Sequence, residues 1–238
     1  MEMKSQREIH RVSPACVIPD LAGEITAALV GTGPALGLGE VRSTSAPSKI
    51  ALVIGTSGTT GISKEVAFTA SALLASARAS NKFLGAKAGQ QWSLFLPLTH
   101  IAAVNVIIRS MELGTLPIDL REHQGEYPKV DFTSIVPTQL FRALNSDERL
   151  LRHLQSAQAV LVGGAALSPA LSQQAVTAGI NVVETYEKAD KSCLIATDVY
   201  SFHVDRSPVP TDTFLCTYFG KPSEILINSE AKQKVLVP

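Results

Sequence analysis

Short apolar runs alternate along most of this chain with segments in which apolar residues recur at helical spacing. Apolar or small residues at positions 21, 25, 28 and 29 follow the period of a helix, and Gly31 comes directly after them. Compact apolar runs at 50–54 and 92–98 are typical of buried strands. This alternation predicts an α/β fold: a layered, mainly parallel sheet with flanking helices.

The same pattern predicts the order of elements. Helices are expected over residues 21–30, 69–85, 102–113, 138–144 and 168–178, with Thr69 and Ser168 as N-caps. The apolar or small face of the second helix is expected to consist of Ala72, Leu73, Ala77 and Phe83. Strands are expected over 50–54, 64–68, 92–98, 114–120, 132–136, 159–162 and 180–185. Residues 1–20 should be largely irregular, 33–49 a loop with at most one short strand, and 121–130 a surface excursion.

The strongest candidate for chemistry follows the strand predicted at 50–54. Hydroxyl-bearing residues and glycines alternate there ahead of Lys64: Thr56, Ser57, Gly58, Thr59, Thr60 and Gly61. Glycines let a backbone approach a ligand closely, and successive N–H groups in such a turn form an anion-binding concavity. Lysine adds a mobile positive charge. The stretch therefore indicates triphosphate binding, although a small-residue turn with a purely structural role is the alternative.

Composition and charge narrow the classes of function. A chain of 238 residues suits one large domain or one and a half. Its 21 Lys and Arg balance its 21 Asp and Glu, so no field favours nucleic acid or an anionic membrane. Three distant cysteines, Cys16, Cys193 and Cys216, argue against a disulfide framework and for a reducing, cytoplasmic setting. The apolar runs are all shorter than the about 18 residues of a membrane span, so none is expected.

The order Thr-Ser-Gly-Thr-Thr-Gly-x-x-Lys over residues 56–64 resembles the phosphate-binding signature of the adenylate-forming superfamily, the acyl-CoA synthetases and their relatives. This pattern is distinct from Gly-x-x-x-x-Gly-Lys-Ser/Thr, which fits these residues in no register. The resemblance implies the N-terminal domain fold of that superfamily and implies ATP, Mg²⁺ and CoA as cofactor and co-substrates. It also implies that Lys64 and the loop hold the phosphates.

A second motif narrows the resemblance. Residues 96–102 read Leu-Pro-Leu-Thr-His-Ile-Ala, and Arg109 comes nine positions after His100. This segment is similar to short o-succinylbenzoate–CoA ligases of menaquinone synthesis, in which the histidine borders the acyl and CoA channels and the basic residue helps hold the distal carboxylate. From the residues alone, a lone histidine is more often structural, and Arg109 on a mostly apolar helix must find an anion or snorkel to water.

A third motif lies at residues 163–165. The resemblance implies that Gly163, Gly164 and Ala165 pack against adenine and that Tyr186 belongs to the same nucleotide site. Ordinary turn chemistry between a strand and a helix explains these glycines about equally well.

The chain departs from the family after Tyr186. Family members continue with Gly-Met-Thr-Glu, in which the threonine approaches the α-phosphate and the glutamate ligates magnesium, whereas this chain has Glu187-Lys188-Ala189-Asp190. Asp190 could still offer an oxygen to Mg²⁺, with a shorter side chain. We therefore expect a domain over 1–186, a divergent β-rich tail over 187–238 with a candidate hairpin at 224–237, and no counterpart of the family's C-terminal lid domain.

The functional expectation follows from these motifs. The chain should resemble an enzyme that adenylates o-succinylbenzoate with ATP and then forms the CoA thioester, with impaired or absent turnover as it stands. The alternatives are a non-catalytic nucleotide- or acyl-binding remnant and a half-enzyme completed by a separate C-terminal domain. A homodimer is a further expectation.

Overall fold

The computed structural model describes residues 6–56 and 64–185. Its strands are β1 (Gln6–Arg11), β2 (Ala35–Leu38), β3 (Ser45–Pro47), β4 (Ile50–Thr56), β5 (Lys64–Thr69), β6 (Trp92–Leu94), β7 (Ile118–Asp119), β8 (Phe132–Ile135), β9 (Ala159–Val162) and β10 (Val182–Glu184). Its helices are α1 (Ile18–Val30), α2 (Ala70–Phe83), α3 (Ile101–Glu112), α4 (Pro137–Asn145), α5 (Glu148–Ser156) and α6 (Pro169–Thr177).

The strands of the described residues form two five-stranded sheets. The first has the order β3-β1-β2-β4-β5 and the second the order β10-β9-β8-β6-β7. Every pairing in the second sheet is parallel, while in the first sheet β1–β3 and β4–β5 are antiparallel. The predicted α/β class with mainly parallel strands is confirmed, and the strands are divided between two sheets.

Helices α1, α2 and α3 fill the space between the two sheets. One core cluster joins Leu52 and Phe68 of the first sheet to Trp92 and Phe132 of the second, with α3 contributing Ile107. A second cluster packs α4, α5 and α6 on the opposite face of the second sheet, and a third covers the outer face of the first. The layers therefore run sheet, helices, sheet, helices, and each sheet buries apolar side chains on both faces.

Local sequence signals explain the helix ends. The Thr69 side chain caps α2 by accepting from the backbone N–H of Ala72, 3.2 Å away, and the predicted cap at Ser168 also forms. Phe83, predicted to lie on the apolar face of α2, is 53% exposed and does not belong to the buried face. Asn81 is buried in its place, four residues after Ala77, and its amide donates to the Arg109 carbonyl at 2.9 Å.

Several elements differ from the predictions. Some short strands form because neighbouring strands supply their hydrogen-bond partners. Residues 6–11, expected to be irregular, form β1 between β2 and β3, and the predicted loop at 33–49 contains both of those strands. The strand predicted over 92–98 ends at Leu94, ahead of Pro97, which lacks the N–H that a sheet ladder needs. Helix α5 was not predicted. The candidate hairpin at 224–237 lies outside the described residues.

Candidate functional site

The predicted phosphate loop connects β4 to β5 at the edge of the first sheet. These strands pair antiparallel, and their last registered pairs before the loop are Gly55 with Glu65 and Thr56 with Lys64. The loop residues Ser57, Gly58, Thr59, Thr60 and Gly61, and the side chains of Thr56 and Lys64, lie outside what the structure describes. Both ends of the loop therefore lie side by side at the carboxyl end of β4, where α/β sheets commonly bind ligands.

Residues 42 and 43, in the connection between β2 and β3, contact β5 close to where it leaves this loop. The Glu65 carboxylate accepts hydrogen bonds from the backbone N–H of Ser43 at 3.0 Å, from the Ser43 hydroxyl at 2.5 Å and from the backbone N–H of Arg42. The Ser43 hydroxyl and then the Arg42 N–H hold the pKa of Glu65 below its usual value. Glu65 lies outside the motifs that the sequence indicated. A charged residue directly after Lys64 was the available signal.

The remaining motifs converge on the second sheet. Strands β6, β8, β9 and β10 run parallel, so the residues that follow them lie along one edge. The Gly163 N–H donates to the Ile135 carbonyl at 3.1 Å, and the Thr185 N–H donates to the Val162 carbonyl at 3.0 Å. The turn at 163–165, the start of α4 and the exit of β10 are therefore in contact at this edge.

Close packing explains both glycines of the turn. A Cβ at Gly163 would overlap the Thr185 hydroxyl, and Gly164 has a φ of +81° with Val136 3.4 Å from its would-be Cβ. Ala165 follows them in the loop between β9 and α6 and is exposed. The chain thus presents backbone at the carboxyl edge of the sheet, which suits a flat ring, while the glycines have structural reasons of their own. Tyr186 lies just past the described residues.

His100 is exposed at the same edge and begins α3 as its N-cap residue. Its backbone is extended, with φ −106° and ψ 142°, and its carbonyl accepts from the N–H of Ala103 at 3.1 Å. The imidazole does not cap the helix. The side chain is therefore placed at the rim of the sheet and is not used to start α3.

Arg109 lies deeper, in the last turn of α3. It is nine residues past His100, which corresponds to roughly 13 Å along the helix. The side chain is 3% exposed, and its guanidinium carbon lies 5.5 Å from the ring centroid of fully buried Trp92. Arg109 therefore does not snorkel to water, and it brings a permanent positive charge between α3 and β6.

No group of three His, Cys, Asp or Glu side chains in residues 6–56 and 64–185 could hold a metal ion. Asp190, the predicted magnesium ligand, is outside those ranges. Within the same ranges no helix is long and apolar enough to cross a membrane.

A buried Ser–His pair lies apart from the predicted motifs. The hydroxyl of Ser93 lies 3.0 Å from Nε2 of His153, and Nδ1 of His153 lies 2.9 Å from the Pro128 carbonyl. Ser93 is fully buried and His153 is 2% exposed. Since a carbonyl can only accept, Nδ1 carries the proton and Nε2 accepts from Ser93. The pair is therefore a structural link between β6 and α5.

A surface cleft of about 370 Å³ lies beside α4 and α5. Its lining includes Arg121 and Arg142, which pair with Asp119 at 2.6 Å and Asp147 at 3.4 Å. These arginines are already neutralised by carboxylates, and none of the predicted site residues lines the cleft.

Comparisons with known proteins agree with the motifs. A sequence profile of the AMP-binding enzymes matches residues 4–213. A probable 2-succinylbenzoate–CoA ligase of Mycobacterium tuberculosis is 37% identical over 155 residues, covering 60% of this chain and 40% of the relative. The 2-succinylbenzoate–CoA ligase of Staphylococcus epidermidis is 32% identical over 193 residues, covering 78% of this chain and 37% of the relative.

The chain thus spans about two fifths of the length of these relatives. Among solved structures, E. coli MenE with a bound analogue of OSB-AMS is 28% identical, with a TM-score of 0.48 over 74% of this chain and 42% of that one. Such a score is low, so the assignment rests on the sequence match, which extends over most of the chain. The chain belongs to the family of AMP-binding enzymes, as its resemblance to adenylate-forming enzymes predicted.

Proposed function

We propose that this chain takes part in the ATP-dependent activation of o-succinylbenzoate and its transfer to CoA. The match of the AMP-binding profile to residues 4–213 carries the proposal, because that range includes every residue assigned a role below. The names of the two relatives supply the acid. Cytoplasmic location and a place in menaquinone synthesis belong to the same proposal.

The nucleotide would extend from the loop at the carboxyl end of β4, in the first sheet, to the glycine turn at the carboxyl edge of the second sheet. Thr56 to Gly61 and Lys64 would hold the β- and γ-phosphates, while Gly163, Gly164, Ala165 and Tyr186 would hold the adenosine. A carboxylate oxygen of the acid attacks the α-phosphorus and pyrophosphate leaves. The thiolate of CoA then attacks the acyl carbon and releases AMP. Positioning and charge stabilisation supply most of the rate enhancement in such chemistry.

Magnesium, when bound, would neutralise charge on the polyphosphate, with Asp190 as the ligand from this chain. The residues that the structure describes supply no alternative cluster of metal ligands.

The acid would lie between His100 and Arg109. Because α3 starts at the carboxyl edge and runs back along the sheet, an acid activated near His100 can extend a second carboxylate toward Arg109. The guanidinium offers a planar pair of N–H donors that matches a carboxylate. Arg109 is buried, so a carboxylate that reaches it would be shielded from water and strongly held.

A second candidate is nucleotide and acid binding without turnover. Residues 187–190 favour it, because Ala189 has no hydroxyl for the α-phosphate and Glu187 adds negative charge beside a polyphosphate. A third arrangement, in which a separate C-terminal domain completes the site, predicts that this domain restores acyl-CoA formation when added in trans.

Pyrophosphate–ATP exchange that depends on o-succinylbenzoate tests the first proposal. We expect exchange in the wild type and a loss of about 10²- to 10³-fold in Lys64→Ala, the scale of a lost donor to developing negative charge. Lys87→Ala is the matched control, because Lys87 is exposed in the loop before β6. ATP binding without exchange would favour binding without turnover, and absence of both would refute the proposal.

A further inference from the structure

The residue after Lys64 makes contacts that adenylation chemistry does not itself require. Three donors converge on the Glu65 carboxylate: the N–H groups of Arg42 and Ser43 and the Ser43 hydroxyl. These donors come from residues 39–44, the connection that follows β2, which we call the brace segment. Hydrogen bonds to an ionised acceptor are about twice as strong as neutral ones, so Glu65 is a firm anchor for this segment.

The brace segment also contacts the strand opposite Glu65. Gly55 on β4 is the registered partner of Glu65 on β5. A Cβ at Gly55 would overlap the backbone of Glu40, so the segment approaches β4 more closely than any side chain would permit. From β1, Nε of Arg11 donates to the Val41 carbonyl at 2.9 Å. Contacts with β1, β4 and β5 thus hold the brace segment in place.

The anchor lies on the outer face of the first sheet. Glu65 shares that face of β5 with Ala67, which packs on the cluster that contains Val41. Val66 and Phe68 face the helices on the other side. Glu65 therefore acts on the backbone of the β4–β5 pair and on the brace segment.

We propose that Glu65 is a positioning residue of the ATP site, an inference that rests on the proposed function. It holds the brace segment against the stem of the β4–β5 hairpin, one registered pair below the loop that would bind the phosphates. A stem that is fixed in advance leaves less conformational freedom to be lost when the triphosphate binds. Glu65 would then determine nucleotide affinity without touching the nucleotide.

ATP titration calorimetry on the full chain tests this role. We expect Glu65→Ala to raise the Kd for ATP roughly 5- to 20-fold through loss of preorganisation, and Glu65→Gln, which keeps one acceptor oxygen, to restore much of the affinity. Asp131→Ala is the matched control. Asp131 also accepts three hydrogen bonds, from Gln91, Gln90 and Gln158 at 2.7, 3.1 and 2.6 Å, but at the amino edge of the second sheet.

Both alanine variants should lower the melting temperature, and only Glu65→Ala should lower the affinity for ATP. A wild-type Kd in Glu65→Ala, measured well below its melting temperature, would overturn the positioning role and leave a structural one. Equal weakening in Asp131→Ala would overturn it too.

Amide hydrogen exchange without nucleotide separates this inference from the proposed function. In Glu65→Ala, we expect faster exchange at Arg42 and Ser43 and at residues 53–56 and 64–66. Unchanged exchange at the strand residues would overturn the bracing of the stem, whatever the ATP result. A wild type that binds no ATP would overturn the proposed function and the nucleotide role of Glu65 with it, while the exchange data would still decide whether Glu65 holds the stem.

Discussion

Arg109 shows how one side chain links the fold to the proposed chemistry. Its guanidinium stays charged at any ordinary pH, yet it is 3% exposed and lies 5.5 Å from the Trp92 ring centroid. A cation over an indole face is more strongly attracted when both are desolvated. The interface of α3 and β6 therefore holds a positive charge in a fixed position, where an entering carboxylate would meet it.

Replacing this charge should affect the acid far more than the nucleotide. Arg109→Met keeps an unbranched apolar stem against Trp92, and we expect it to raise the KM for o-succinylbenzoate about 10- to 100-fold, the worth of a charged hydrogen bond or two. The KM for ATP should change little. Initial rates of pyrophosphate exchange measure both constants. Arg78→Met, an exposed change on α2, is the control, and an unchanged acid KM in Arg109→Met would contradict the assignment.

The sequence alone indicated some residue roles and missed others. The type and spacing of His100 and Arg109 were visible, but the burial of Arg109 arises from the packing of α3 on β6. Glu65 went unnoticed because its partners, Arg42 and Ser43, are 23 and 22 residues away in the chain. Contacts of that range depend on the sheet order, which local patterns do not contain.

A buried histidine, His153, helps link helix α5 to the second sheet, and burial favours the neutral form of its imidazole. Nε2 of His153 accepts from Ser93, and burial lowers the pKa of His153 below its ordinary value of 6.5. The unfolded chain takes up this proton near pH 6.5, whereas the folded chain takes it up only at lower pH. Stability should therefore fall as the pH drops below about 6.5, because the unfolded state binds more protons.

Urea unfolding between pH 7 and 5 measures this dependence. One histidine contributes at most about 1.4 kcal/mol per pH unit to the free energy of unfolding, and His153→Gln should remove that contribution. Gln155→Ala, an exposed change on the same helix that removes no ionisable group, should keep the wild-type slope. An identical slope in His153→Gln would mean that other groups carry the acid sensitivity.

Elements with strong local signals were predicted, and elements held by their neighbours were not. Helix α2 has both its cap and its apolar spacing in the sequence, and β4 has a continuous apolar run. Strand β1 buries only Ile9 and exists because β2 and β3 flank it. Helix α5 is short and rich in charge, although its N-cap at Asp147 was a usable signal.

At the scale of the molecule, the two sheets share one core through the helices between them. Trp92, the chain's one tryptophan, is fully buried in the cluster that also contains Leu52 and Phe68 of the first sheet. The number of sheets was not evident from the sequence, since alternating strands and helices fit one sheet or two. A shared core implies that neither sheet keeps its packing when the other is lost.

Denaturant unfolding tests this shared core. Tryptophan fluorescence and far-ultraviolet circular dichroism should give the same midpoint and slope, because one transition exposes the whole cluster. Trp92→Phe, followed by circular dichroism alone, should shift the midpoint without adding a second step. Separate midpoints for the two signals in the wild type would show that the sheets unfold independently.

The hydrogen bonds of Thr185 have a geometric consequence for the rest of the chain. Its N–H and its hydroxyl both donate to the Val162 carbonyl, at 3.0 and 3.2 Å, which pins the backbone beside the glycine turn. The chain that follows Thr185 is therefore joined at the carboxyl edge of the second sheet, the edge at which His100 also lies. A segment attached at this edge is present there at a high local concentration. Even a weak attraction to the edge would therefore bring it into contact far more often than the same segment free in solution.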